Sequence, residues 1–462
     1  MVHHDAVVLG AGPGGYAAAI RLAQLGLDTA VVERRYWGGV CLSVGCIPSK
    51  VLLRGAELVN VVASKGAQFG LVGSFRRDFG PVFDHSRRAA EGRVEGVHHL
   101  LRKNGVRQYY GHGEFQDEHT LTVGQADREV LTFGSAVIAT GSRVRTLPGV
   151  ALSENVVDYE TQILDRRVPA SIAIIGAGAI GTEFAYILAS YGAQVTLIEY
   201  ADRVLPAEDA ESSAEVARAY AALGITVRTS TSVRTCVDDG EGVTVTYTGP
   251  DGDGELRVAR VLVSVGFTPR TQGFGLERTG VALTARGAIA VDDAMRTSVP
   301  HLLAIGDVTG KLALAHVADA QAMVAAETVA GVPTAGLGDY RMMPRVTFCQ
   351  PQVASFGLTE AQARAEGHDV RVARFPFSAN AKARGMAEPQ GFVKVLADGT
   401  SGQLLGAHLV GVEVAEMLPE LTLARRTGLT AGDLARNVHV HPTLGEALQE
   451  AFRGLTGAMI NL

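Results

Sequence analysis

Two stretches of the sequence are copies of one unit, and few folds accept such a unit twice. Residues 6–34, "AVVLGAGPGGYAAAIRLAQLGLDTAVVER", begin with an apolar run, turn through Gly10, Gly12 and Gly15, continue with helical spacing and reach a second apolar run ending at Glu33. Residues 172–200, "IAIIGAGAIGTEFAYILASYGAQVTLIEY", repeat it at a constant offset of 166 residues: Gly176, Gly178, Gly181, Leu188, Gly192 and Glu199 face Gly10, Gly12, Gly15, Leu22, Gly26 and Glu33. The pattern predicts strand, glycine turn, helix and strand, twice. Glycines there let backbone close on a pyrophosphate, the helix start offers N–H groups and the positive end of a dipole, and the acid accepts from ribose hydroxyls. One such motif is as often a plain glycine turn; two in register, each followed 18 residues later by Glu, point to two dinucleotide sites. Glu33 and Glu199 also repel a 2′-phosphate, because two unit charges about 4 Å apart cost roughly 1 to 4 kcal/mol depending on the local dielectric.

The rest of the composition narrows the class. At 462 residues the chain has length for about three domains, each able to bury a core without disulfide help. Apolar residues make up 47% and charged residues 19%, and no run of 18 uncharged apolar residues is long enough to span a bilayer. Residues 6–20 have the apolar character of a signal-peptide core, but glycine and proline break the run and no Lys or Arg precedes it. The first strand begins close to Met1, so a cytoplasmic protein without a transit peptide is expected. The net charge of −6 comes without an acidic or basic block, which argues against a nucleic-acid partner. Glycine accounts for 55 residues, above the usual ~7%, as fits backbone that approaches bulky cofactors. Only six of the 42 basic residues are lysine, Lys50 among them.

Two of the four cysteines stand five positions apart in "GGVCLSVGCIPSK", residues 38–50. A staple has little to do in a chain this long, and a zinc site lacks partners, since Cys236 and Cys349 are isolated and no His pair completes a tetrahedral set. A reversible disulfide fits a short intracellular loop better. Cys46 falls just before a predicted helix, with Lys50 about one turn further on. A helix start and a nearby cation both lower a thiol pKa from its usual value of about 8.5, which favours a thiolate at Cys46.

Further landmarks follow in order. "VLTFGSAVIATGSRVRTLPG" reads as strands leading to the turn 139–142, and "RVLVSVGFTPRT" is a similar strand and turn in the second unit. "TSVPHLLAIGDVTG" ends a strand at Gly306 and Asp307 ahead of a helical stretch, a place where a carboxylate either caps a helix or meets a ribityl or ribose hydroxyl. From about Arg345 the pattern predicts an antiparallel sheet with interleaved helices, a separate C-terminal domain. In "NVHVHPTLGEALQEAF", Thr443 to Glu446 fits a capping box.

These motifs, in this order and over essentially the whole chain, resemble the pyridine nucleotide–disulfide oxidoreductases. The resemblance implies an α/β fold of two Rossmann-like dinucleotide-binding domains plus a C-terminal α+β dimerisation domain. It places FAD on residues 1–148, NAD on 149–275, a central segment returning to the flavin at 276–344 and the interface domain at 345–462. It implies oxidation of protein-bound dihydrolipoamide by NAD⁺ through a redox-active disulfide and FAD. The partners implied are a second copy sharing each active site and the lipoylated acyltransferase subunits of 2-oxo acid dehydrogenase complexes. Cys46 would be the thiol beside the flavin and Cys41 the interchange thiol that meets the substrate. Lys50 would lie near the flavin and pair with Glu183, and His441 would be the acid–base group oriented by Glu446, which also serves the cap. The FAD set implied is Gly10, Gly12, Gly14, Gly15, Glu33, Lys50, Thr140, Gly141, Asp307 and Ala315. The NAD set is Gly176, Gly178, Ile180, Gly181, Glu199 and Gly266; no metal is expected. His439 is left as a supporting residue. Val40, Ser43 and Gly445 depart from the usual Thr, Asn and Ser, and Phe267, Arg270 and Arg203 bear on nucleotide preference, where Glu199 outweighs them. The rivals are a glutathione- or mercuric-reductase-like enzyme and a mainly structural flavin-bearing subunit. Glu199 stands where glutathione reductases carry basic residues, and the chain ends "GAMINL" without terminal cysteines.

Overall fold

The computed structural model describes residues 1–124 and 128–462. It resolves into two compact units, each assembled from three stretches of chain. The first comprises Met1–Val51, Phe83–Arg145 and Gly266–Tyr340; the second comprises Leu52–Val82, Thr146–Val265 and Arg341–Leu462. Together they give the α/β class expected, two doubly wound nucleotide-binding folds and a C-terminal α+β sheet domain.

In the first unit, strand Val2–Leu9 lies parallel to Thr29–Glu33 on one side and to Glu129–Ile138 on the other. Arg107–Tyr110 extends the sheet beyond Thr29–Glu33, and Leu302–Ala304 adds in parallel to Glu129–Ile138. The alternation of side chains across a strand explains why every residue from Ala6 to Leu9 is apolar: Ala6 and Val8 join one buried cluster, and Val7 and Leu9 join another on the opposite face. Each larger side chain so buried contributes about 1.5–3 kcal/mol. Helix Pro13–Gln24 covers the first face through Ala18, Ala19 and Leu22, and its small residues let helix Ala315–Val329 approach through Ala322, Ala325 and Ala326.

The second unit repeats the arrangement. Ser171–Ile175 lies parallel between Gln194–Ile198 and Arg260–Val263, with Thr226–Arg228 outside the former. Ala173 and Ile175 face a cluster that includes Val243, Val245 and Val258 of an antiparallel meander. The same unit contains the C-terminal sheet, which is antiparallel throughout: Arg345–Thr347, Gln352–Gly357, Leu404–Gly411, Phe392–Asp398 and Val370–Pro376. Helix Glu446–Leu455 packs on it with Ala447, Leu448, Ala451, Phe452 and Leu455 on one face, as its 3.6-residue period requires.

Two details depart from the sequence pattern. The capping box expected at Thr443 is only half formed: Glu446 accepts from the Thr443 N–H at 2.8 Å, but the Thr443 hydroxyl donates backward to Val440 O at 2.7 Å, and Gly445 occupies the N-cap. A complete box stands instead at Thr359 and Gln362. The other detail concerns the helical stretch Gly39–Phe69, which among the described residues is long and apolar enough to cross a membrane by length and composition alone. It carries Lys50 and Arg54, and 44% of its most apolar window is buried within the protein.

Candidate functional site

In the first unit the strand ending at Leu9 turns at Gly10, and helix Pro13–Gln24 starts after Gly12 with Pro13 in its first turn. The fixed φ of proline suits that position, where its missing N–H has no helical partner to lose. A Cβ on Gly10 would strike Ala139 O, and one on Gly15 would strike Gly10 O, so strand, turn and helix close only without side chains there. A Cβ on Gly14 would press on Ala318 O at 3.0 Å. A Cβ on Gly12 meets only Gly39 Cα, at 3.9 Å, which leaves the turn able to receive a phosphate on the helix N–H groups. Glu33 is held in place by the turn: its Oε2 accepts from Ala11 N at 2.9 Å and its Oε1 from Arg35 N at 2.7 Å.

The later parts of the same unit return to this turn. Thr140 Oγ1 donates to Arg270 O at 2.8 Å, and Arg270 N donates to Gly141 O at 2.9 Å. Ser142 Oγ donates to Asp307 Oδ2 at 2.7 Å. Burial pushes the Asp307 carboxyl up, against the Ser142 bond that pulls it down. Asp307 is therefore no helix cap. Gly306 N donates to Gln321 Oε1 at 2.6 Å, and Ala315 begins helix Ala315–Val329 without a side-chain cap. The glycine cradle, the Glu33 carboxylate and the half-buried Asp307 fit FAD. The sequence reading missed Ser142 and Gln321 and took Arg270 only for its bearing on nucleotide preference; the three act across 165, 15 and 128 residues of chain, and no local pattern marks these contacts.

The cysteine segment lies against this turn. Gly38 N donates to Ala11 O at 2.8 Å, and a Cβ on Gly39 would come within 2.6 Å of Gly12 Cα. Cys41 sits in the short helix Gly39–Val44, and Cys46 is the first residue of helix Cys46–Lys65. No disulfide joins them here. The Cys41 thiol is held well above the usual thiol range, first by the hydrogen bond it makes with Cys46, then by burial and the charge on Cys46; the Lys50 ammonium works the other way. Cys41 is thus the harder of the two thiols to ionise, and Cys46 stands at the helix start. Lys50 follows in the first turns of that helix, with Nζ 3.4 Å from Ser49 Oγ. Val40 is exposed and Ser43 is buried.

In the second unit the geometry recurs. A Cβ on Gly181 would strike Gly176 O, and one on Gly176 would come within 2.5 Å of Ser264 O, whereas one on Gly178 meets nothing within 4 Å. Glu199 Oε2 accepts from Ala177 N at 2.6 Å and Oε1 from Ala201 N at 2.8 Å. Ile180 lies in the first turn of helix Ala179–Ser190, whereas Gly266 is counted with the first unit, where its carbonyl accepts from Arg145 N at 3.0 Å. The turn and carboxylate fit NAD. Glu183 is buried, with Oε1 accepting from Phe348 N at 2.9 Å; it belongs to the second unit and Lys50 to the first. Arg203 turns to Asp202 and to Pro206 O.

His441 and Glu446, also in the second unit, form a pair with Nδ1 and Oε1 2.8 Å apart. An acceptor on Nδ1 places the neutral ring's proton there and leaves the lone pair on Nε2. Burial raises the Glu446 carboxyl, but the Thr443 N–H and then His441 outweigh it, and the group lies below its ordinary value. His439 supports this loop: Nε2 meets Glu420 Oε2 at 3.0 Å, which raises the His439 pKa despite opposing burial. Asn437 Nδ2 donates to Glu420 Oε1 at 3.0 Å, and Asn380 Nδ2 to Thr443 O at 3.0 Å. Glu420, Asn437 and Asn380 are invisible to sequence reading because each is a common polar residue on an unremarkable segment. Among the described residues no group of three His, Cys, Asp or Glu converges as a metal set.

Comparison with known proteins gives the following. A family model described as pyridine nucleotide-disulphide oxidoreductase matches residues 4–322, and the model of that family's dimerisation domain matches residues 343–452. A dihydrolipoyl dehydrogenase of Mycobacterium tuberculosis is 59% identical over 463 residues, covering 100% of both chains. Another, of Corynebacterium glutamicum, is 53% identical over 465 residues, covering 99% of both. Among solved structures, LpdA from Mycobacterium tuberculosis superposes with a TM-score of 0.90 at 26% identity, over 98% of this chain and 100% of that one. The HOCl-induced flavoprotein disulfide reductase RclA from Escherichia coli does so at 0.87 and 26%, over 97% of this chain and 99% of the other.

Proposed function

Because the chain belongs to the pyridine nucleotide-disulphide oxidoreductase family, we propose that it is a dihydrolipoyl dehydrogenase, oxidising protein-bound dihydrolipoamide to lipoamide with NAD⁺. Its cofactors are FAD and NAD, and its C-terminal domain pairs two copies of the chain as a homodimer. The observation that carries the reading is the cysteine pair held against the first glycine turn, with Cys41 in the short helix Gly39–Val44 and a helix start under Cys46.

In this reading one substrate thiol gives its proton to solvent and attacks Cys41 of the oxidised pair as a thiolate, and the Cys41–Cys46 bond breaks with its electrons left on Cys46. His441 Nε2 takes the proton from the second substrate thiol, which then closes on the first sulfur and releases lipoamide. The Cys41 thiolate so formed recovers a proton from His441. Glu446 holds the ring and balances its positive charge meanwhile. FAD, when bound at the first glycine turn, would supply the two-electron chemistry that links the dithiol to NAD⁺. The glycine turns and helix starts hold the two pyrophosphates, Glu33 and Glu199 hold ribose hydroxyls, and Lys50, one turn after Cys46, holds positive charge near the thiols.

The base is taken to come from the second copy, so that each active site is shared. Cys41 and Cys46 belong to one compact unit and His441 to the other. The His441 side chain is 73% exposed, with Val438 and Val440 exposed beside it, which supports a surface that a second subunit covers. Lipoylated acyltransferase subunits are the proposed delivery partners, and the cytoplasm the proposed location.

Turnover of dihydrolipoamide with NAD⁺ by the purified protein tests the activity, and its absence would sink the reading. Glutathione disulfide with NADPH is expected to give none. His441→Ala should lower turnover by roughly 10² to 10⁴ with FAD retained. Mixed dimers of Cys46→Ala and His441→Ala subunits should regain activity at one of their two sites; no recovery would refute sharing.

A further inference from the structure

We infer that Lys394, on the C-terminal sheet, is a positioning residue for the second glycine turn: by anchoring Asp209 it holds Leu205 against Ala177 and so shapes the site of the NAD adenosine diphosphate. The inference rests on the reading of that turn as the NAD site.

Five strands of the C-terminal sheet carry a polar row in register. Arg345 pairs with Ser355, Ser355 with His408, His408 with Lys394 and Lys394 with Arg374. In the middle of the row the Lys394 side chain is 4% exposed. Its Nζ reaches Asp209 Oδ2 at 3.2 Å, Glu211 Oε1 at 2.7 Å and Glu360 Oε2 at 2.9 Å. Buried charges of this kind add little stability over an apolar packing of the same volume. Nearby, Glu208 Oε2, Ser212 Oγ, Ser355 Oγ and His408 Nδ1 are buried without a protein hydrogen-bond partner, a further cost that packing does not explain. The seam must therefore hold something in place.

What it holds is visible from the other end. Asp209 caps helix Ala210–Ala222, and residues 200–209 connect that cap to Glu199. Within this loop Leu205 donates from its N–H to Ala177 O at 2.8 Å, and Ala177 is the residue whose own N–H holds Glu199. Leu205 is buried and has φ of +46°, a conformation costly for any residue with a Cβ, so the surrounding structure must impose it. Its carbonyl accepts from Glu208 N at 2.9 Å and from Ser213 Oγ at 3.2 Å, the residues on either side of the Asp209 and Lys394 junction. The first glycine turn receives the same contact from Gly38, whose φ of +84° needs no such support.

The test uses the FAD-loaded dimer. ADP-ribose, which carries the adenosine diphosphate of NAD and takes no electrons, is titrated by calorimetry into wild type, Lys394→Met, Lys394→Arg and Asp209→Asn. Asn caps a helix as well as Asp does but gives up the charge facing Lys394. Dihydrolipoamide reduction of a benzoquinone, which bypasses NAD, is measured alongside. Lys394→Met should raise the ADP-ribose Kd roughly tenfold, because displacing a binding group by about 1 Å from a distance can cost as much as ~100-fold. Asp209→Asn should show a smaller rise, Lys394→Arg should restore affinity, and quinone turnover should hold in all. Should Lys394→Met fail to assemble, Asp209→Asn decides. Unchanged ADP-ribose affinity in the loaded variants, or affinity and quinone turnover falling together, overturns the inference. A wild type inactive on dihydrolipoamide would overturn the proposed function alone, since the ADP-ribose titrations still read the turn.

Discussion

The two glycine turns are built alike down to single hydrogen bonds, yet they are closed from the far side by different means. Each has a carboxylate that accepts from the N–H after the first glycine and from the N–H two residues beyond itself: Glu33 from Ala11 and Arg35, Glu199 from Ala177 and Ala201. Helices Pro13–Gln24 and Ala179–Ser190 start and stop at corresponding positions. In both, the chain then swings back to bond the carbonyl of that same alanine. In the first turn Gly38 makes the bond and leads straight into Gly39 and Cys41; in the second Leu205 makes it and leads to Asp209. The difference teaches that the nucleotide cradle is a local device, whereas its chemistry depends on what the returning loop brings: cysteines to one turn, a tether to the sheet at the other.

The strongest way to separate the two turns is to remove the chemistry from one. Cys46→Ala should lower NAD⁺-dependent dihydrolipoamide turnover by on the order of 10⁴-fold or more, as happens when one member of a cooperating set is lost. ADP-ribose binding and FAD content should stay as in wild type; activity that survives contradicts the assignment of Cys46.

A paired substitution comes next. Gly15→Ala and Gly181→Ala each drive a Cβ into the carbonyl of the first glycine, overpacking that typically costs about 1–3 kcal/mol. The first should release FAD and the second should weaken ADP-ribose binding with FAD retained, read by flavin absorbance after gel filtration and by calorimetry. Loss of FAD from both would show that the turns are not independent.

Smaller effects are expected from the carboxylates. Glu33→Gln and Glu199→Gln keep the shape but lose the charge, and hydrogen bonds to a charged group are worth about 1.5–3 kcal/mol, so each nucleotide should bind roughly tenfold or more weakly at its own turn. Glu199→Gln should in addition narrow the preference for NAD⁺ over NADP⁺, measured as the ratio of kcat/KM values. The smallest change makes the first turn resemble the second. Gly38→Ala places a Cβ at φ of +84°, against roughly 1–2 kcal/mol, and should lower Tm by about 2–4 °C per kcal/mol. An unshifted melting curve would mean that the returning loop carries no load.

Much of this was legible without coordinates because the signals are local. The glycines at fixed spacing, the cysteines around Gly45 and the His-Pro-Thr run ahead of a helix each draw on neighbours within a few residues, where backbone sterics and helix-start electrostatics dictate residue type. Local reading went wrong at Thr443, whose hydroxyl found Val440 O instead of a helix N–H. Pattern matching there sees two compatible residues but not the turn between them.

The sequence by itself determined the two nucleotide cradles and which residue types stand at the reacting positions, since those depend on short-range geometry that a chain of L-residues must satisfy wherever it folds. Only the tertiary structure decided what surrounds them. It set Ser142 on Asp307, Glu420 behind His439 and Lys394 against Asp209. Those pairings join residues brought together by sheet register and helix packing. The energy of a buried polar contact depends on the partner and on the exclusion of water, which no single segment of sequence specifies.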